Sequence, residues 1–138
     1  MVVQDFRSAV SDDDGSTVAA GRQFADMIAV EVKSAKPGVP VERNTRADAN
    51  SLVIGGEITR FVEGNSALRL FVGLGAGSSY FDADVRLSDG GSGRSLGVLS
   101  ADKNSWGLGG GIAAGQTVEV FMREAARKTA AEAAPRLR

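Results

Sequence analysis

The chain has 138 residues and a mass of 14.3 kDa, enough for one domain over residues 1–138 that buries roughly two-thirds of its unfolded surface. With 16 Lys and Arg against 17 Asp and Glu, the net charge of −1 provides no broad field to draw in nucleic acid or acidic lipid. The absence of Cys and His removes thiol and imidazole nucleophiles, Ser/His/Asp triads, disulfides and the usual zinc, haem and iron–sulfur ligands.

Val2, Val3 and Phe6 read as a short opening strand, followed by Asp12-Asp13-Asp14-Gly15, a turn leading into a helix near Ser16. Over residues 17–35, Gly21, Phe24, Ala25, Ile28, Val32 and Ala35 fall on one side at 3.6-residue spacing, with Arg22, Asp26 and Lys33 opposite. That amphipathic helix ends at Lys36-Pro37-Gly38. Residues 39–43 form a brief second strand and 44–50 a polar connection.

Residues 51–62 alternate with period two, with Leu52, Ile54, Ile58 and Val62 on the more apolar face. Next, Leu68, Leu70, Val72 and Leu74 place the apolar face on even numbers, whereas Phe81, Ala83, Val85 and Leu87 place it on odd numbers. A regular strand cannot turn its side chains over in this way, so a bulge or loop is expected in the Gly-rich stretch 75–79. Residues 88–93 make a hairpin turn into an antiparallel strand over 94–102. Beyond Trp106 and a second Gly-rich run at 107–111, a helix over 115–134 carries a stripe that begins at Ala114, just before it, and continues through Val118, Phe121, Met122, Ala125, Thr129 and Ala133. Pro135 closes it. The expected fold is α/β of the α+β kind, a single mixed sheet of four to five strands with two long helices, in the order β-α-β-β-(Gly-rich)-β-β-α.

Several motifs invite chemistry and give little. Asp12, Asp14 and Ser16 suggest a calcium loop, but its required Gly and Glu positions hold Thr17 and Gln23, so the acids read as a solvated turn facing the positive end of a helix. Gly109-Gly110-Gly111-Ile112-Ala113-Ala114 fits the loose dinucleotide fingerprint, yet no further strand follows to carry the ribose-binding acid, and no P-loop Gly-Lys-Ser/Thr occurs. Asp82 and Asp84 share one strand face about 7 Å apart, a pair that reads as a solvated face. Gly73, Gly75, Gly77 and Ser78, with Arg69 close in sequence, form the candidate binding segment, through backbone amides that could approach an anion or another chain. No cofactor and no metal are expected. A sheet with helices on one side also leaves open edges, whose pairing joins subunits or partners.

No stretch reaches 18 consecutive apolar residues, so no membrane-spanning helix is expected. The opening Met-Val-Val-Gln-Asp-Phe has no basic segment or apolar core of a signal peptide, which suits a cytoplasmic protein or a trimmed chain.

Gly56-Glu57-Ile58-Thr59-Arg60-Phe61, Gly64-Asn65, the run from Leu68-Arg69-Leu70-Phe71-Val72 through Gly73-Leu74-Gly75-Ala76-Gly77-Ser78, and Val85-Arg86-Leu87-Ser88-Asp89 with Gly93 resemble the bacterial envelope family known as domain-of-unknown-function family 4410. Val2-Val3-Gln4-Asp5-Phe6 is similar to its opening strand. The resemblance implies a periplasmic or outer-membrane lipoprotein-type domain of Gram-negative bacteria, with a layout similar to the curli-secretion lipoprotein and to periplasmic activators of cell-wall synthesis. It implies no enzymatic activity and a membrane link only through a lipid anchor absent from this chain. The partner is then an unknown envelope protein or a second copy. The alternative is a small-ligand or nucleotide-binding domain using a Gly-rich loop.

Overall fold

A computed structural model describes residues 1–11, 15–63, 79–102 and 117–137. In chain order the elements are β1 (Val2–Val3), β2 (Arg7–Ser8), α1 (Ser16–Ala35), β3 (Glu42–Arg43), β4 (Leu52–Val62), β5 (Tyr80–Asp89), β6 (Ser95–Ala101) and α2 (Val118–Ala133), with a 3₁₀ turn at Ala134–Arg136. The sheet runs β3-β1-β4-β5-β6, and β2 pairs with the later part of β4. β1 is parallel to both β3 and β4, whereas β4, β5 and β6 are antiparallel in turn, so the sheet is mixed. Among the described residues six strands appear where four to five were expected, because the opening segment is broken in two.

That break has a physical cause in the core. Val3 pairs with Ile54 and Arg7 with Glu57, so Gln4, Asp5 and Phe6 stand against only Gly55 and Gly56. The extra residue lets Phe6 point inward as Val3 does. The Phe6 amide turns away from the sheet to the Gly21 carbonyl of α1, at 3.4 Å. Its ring meets Phe24 edge-on at 4.8 Å, and Phe24 meets Phe81 likewise at 4.8 Å. Two glycines permit this. A Cβ at Gly21 would stand 2.2 Å from the Phe6 carbonyl oxygen. At Gly56, where φ is +152°, it would stand 1.9 Å from the Asp84 oxygen and 3.0 Å from the Phe6 ring.

Both helices cover one face of the sheet. The inward set of α1 is Thr17, Ala20, Gly21, Phe24, Ala25, Ile28, Ala29 and Val32, as the 3.6-residue spacing predicted, except that Ala35 is exposed in the last turn, beyond this set. Lys36 closes the helix through its amide to the Val32 carbonyl, and Gly38 turns the chain at φ +97°. In α2 the buried stripe is Phe121, Met122, Ala125, Ala126, Thr129, Ala130 and Ala133, and the Thr129 hydroxyl donates to the Ala125 carbonyl at 2.9 Å. The abundance of Ala on both faces allows the two helices to lie close together.

In β5 the odd-numbered Phe81, Ala83, Val85 and Leu87 are all buried, as expected. In β4 the apolar phase holds for Leu52, Ile54 and Ile58 and then changes. Ile58 pairs with Ala83 but Arg60 with Asp82, leaving Thr59 as an extra residue. Phe61 therefore packs against the core and Val62 is 42% exposed, which corrects the inward placement of Val62. A second bulge, at Leu96, lies near the start of β6. The register slip expected at 75–79 and the apolar run 68–74 lie outside the described residues, as do Trp106 and residues 107–111.

Gly21→Ala tests the close approach of the opening segment to α1. Alanine inside a helix normally adds about 1 kcal/mol relative to glycine. Here it should instead lower stability by about 1–3 kcal/mol through overpacking against a backbone carbonyl. Thermal and urea denaturation would read the sign, and a raised melting temperature would contradict the contact.

Candidate functional site

The topology gathers one end of the sheet. Phe61 and Val62 at the close of β4 pair with Phe81 and Tyr80 at the start of β5. Just beyond them the buried Ser79 hydroxyl donates to the Glu63 carbonyl at 2.7 Å, so the residues on either side of 64–78 are clamped together. Ala101 pairs with Ala83, which brings the close of β6 to the same end. β2 runs parallel to β4, and the Ala9 amide continues its ladder to the Ile58 carbonyl, so the approach to α1 leaves here as well. Arg136, past the finish of α2, lies near Gly97 at the start of β6, so α2 returns toward the opposite end. The sequence-predicted binding residues Arg69, Gly73, Gly75, Gly77 and Ser78 lie outside the described residues. So do Gly109 to Ala114 of the dinucleotide-like run and Asp12, Asp13 and Asp14.

The sheet face turned away from the helices carries the polar side chains. Asp82 and Asp84 share this face on β5, as the alternation predicted, and both are half-buried. Glu57 pairs in register with Asp84, and Arg60 with Asp82. Arg7 reaches Glu57 at 3.0 Å, an exposed pair whose contribution to stability is small. The Arg60 guanidinium stacks 3.8 Å above the centre of the Tyr80 ring, a cation–π contact worth about 0.5–1 kcal/mol at an exposed position. The arrangement is an open mixed-charge surface. Such a surface can meet a partner by complementary charge and stacking.

A tighter polar cluster sits where β1 and β3 end. Arg43 donates to the Val3 carbonyl at 2.6 Å, to Asp5 at 2.6 Å and to Asp26 of α1 at 2.8 Å. Asn44, in the left-handed region at φ 53°, accepts the Asp5 amide at 2.8 Å through its side chain while its own amide bonds the Val3 carbonyl. Burial alone would raise the Asp5 carboxyl, but hydrogen bonds from Asn44 and Arg43 and the charges of Arg43 and Arg22 outweigh it and hold it below its ordinary value. Burial would likewise lower Arg43, and Asp26 and Asp5 reverse that. In the sequence this region reads only as the end of a brief strand and a polar connection. The signal available was an Arg-Asn pair closing a strand parallel to one that ends before an Asp. The cluster stitches two strands to a helix, and its groups are satisfied by one another, which marks it as structural.

On the helix side, Gln23, Asp26, Met27, Val30, Glu31 and Arg123 border a shallow cleft of about 280 Å³. No helix among the described residues is long and apolar enough to cross a membrane.

A family model described as a domain of unknown function, DUF4410, matches residues 3–109. Among curated proteins none matches. Among solved structures, two crystal forms of the PelC dodecamer from Paraburkholderia phytofirmans, one of them a point variant, share the fold with a TM-score of 0.57 and 12% identity. They cover 97% of this chain and 84% or 85% of theirs. An uncharacterized protein is similar at a TM-score of 0.50 and 10% identity, covering 98% of this chain and 90% of its own. At these identities the likeness is one of fold.

The Asp5 cluster generates a pH prediction. A carboxyl held below its unfolded value of about 3.9 contributes stability that is present above that value and lost as pH falls through the lower folded value. The wild type should therefore lose stability more steeply below about pH 4 than Asp5→Asn, as read by urea midpoints from pH 7 to pH 2. Parallel curves for the two proteins would contradict the assignment.

Proposed function

The chain belongs to the DUF4410 family, and from that membership and the geometry above we propose that it is a non-enzymatic cell-envelope domain that works by binding and self-assembly. The observation that carries this reading is the fold shared with PelC over 97% of the chain, since PelC was crystallised as a dodecamer. Chemistry supports it. With no Cys or His in the chain, with Glu57, Asp82 and Asp84 on an open face and with Asp5 and Asp26 tied into ion pairs, the surface suits recognition better than turnover. The family resemblance supports an envelope setting, with any membrane link made through a lipid anchor outside this sequence. We assign contact with an envelope partner to Arg69, Gly73, Gly75, Gly77 and Ser78, which lie in sequence between Glu63 and Ser79, the two residues joined by the Ser79 hydroxyl.

Size-exclusion chromatography with light scattering over a wide concentration range tests the assembly reading. The mass should rise from 14.3 kDa to a multiple of it as concentration increases. A particle of one-chain mass at every concentration would contradict it.

A further inference from the structure

The two edges of the sheet are unequal. β3 is two residues long, with Pro40 shortly before it and Asn44 at φ 53° directly after it, so it offers little backbone to a further strand. β6 is seven residues long and, among the described residues, pairs with β5 alone. Natural edge strands are usually guarded by Lys, Pro, inward charges or bulges. The sequence Ser95-Leu96-Gly97-Val98-Leu99-Ser100-Ala101 has no charge and no proline, and its single guard, the Leu96 bulge, lies near one end. At its middle, on the open face, Val98 is 63% exposed, the most exposed large apolar side chain among the described residues. The two ends are flanked by opposite charges, Arg94 before the strand and Asp102 after it.

We propose that β6 is the surface through which two copies of this chain join, strand beside strand and antiparallel, about a two-fold axis near Val98. This rests on the assembly reading above and adds to it the surface, the partner and the symmetry. An isologous contact needs a patch complementary to itself, and β6 is one. Antiparallel pairing brings the Arg94 end of each copy beside the Asp102 end of the other, whereas parallel pairing would set like charges together. It stacks the two Val98 side chains across the axis and removes both from water. It also satisfies outward backbone groups of an edge that, among the described residues, has no charge or proline within the strand and only the Leu96 bulge near one end as a guard. With the axis normal to the sheet, the helices of both copies stay on one side, and the polar face and the end that bears the Glu63–Ser79 clamp stay accessible.

The test uses the whole chain, which lacks Cys, so a single introduced thiol reports unambiguously. Val98→Cys treated with a short bis-maleimide should give a covalent dimer, while Val30→Cys, equally exposed on the helix side at 61%, should not. Val98→Lys should leave circular dichroism unchanged and abolish the concentration-dependent rise in mass. Assembly by the wild type with no selective Val98→Cys cross-link and no loss of mass in Val98→Lys would overturn the edge and leave the assembly reading standing. A wild type that never exceeds one-chain mass would overturn both. Should Val98→Lys misfold, the contrast between the two Cys variants decides alone.

Discussion

Three phenylalanines hold this fold to its shape. Phe6 from the opening segment, Phe24 from α1 and Phe81 from β5 meet edge-on in sequence, each pair 4.8 Å apart. The stack requires the backbone of the opening segment to lie against α1 at Gly21 and the Phe6 ring to lie over the sheet at Gly56. It also requires one residue too many between β1 and β2. That close approach ties the opening segment, α1 and β5 together on one face of the sheet.

The Arg43 cluster complements the stack from the periphery. It joins the close of β1, the start of the β3–β4 connection and the middle of α1 through groups that satisfy one another. With the short parallel strands fixed in this way, β4 and β5 can carry the long antiparallel ladder. The structural chemistry of the Arg43 cluster and the surfaces proposed for recognition thus occupy different parts of the molecule.

Much of this was legible in the sequence because burial writes a period into it. The inward stripe of α1 from Gly21 to Val32, the odd-numbered run from Phe81 to Leu87 and the stripe of α2 are each a repeated pattern that a single residue cannot disguise. Bulges escaped because an extra residue leaves no compositional mark. Val62 fits the even phase of β4 until Thr59 shifts it, and Val2, Val3 and Phe6 read as one strand although three residues, Phe6 among them, separate β1 from β2. The Arg43 cluster escaped for another reason: its members come from three distant stretches, Val3 with Asp5, Asp26, and Arg43 with Asn44, which the parallel pairing of β1 and β3 helps bring together. The family resemblance was legible in the Gly-rich signature and its flanking strands, but the residues proposed to bind, Arg69 to Ser78, fall outside the described part of the fold.

Strand pairing at the uncharged β6 edge is the proposal that gives the assembly reading its surface, and amide hydrogen exchange at low and high protein concentration tests it most directly. The account predicts that protection within residues 95–101 rises with concentration while the β3 edge and the outer faces of the helices are unchanged. Protection that appears around Met27 and Val30 instead, with the β6 amides exchanging at one rate throughout, would contradict it.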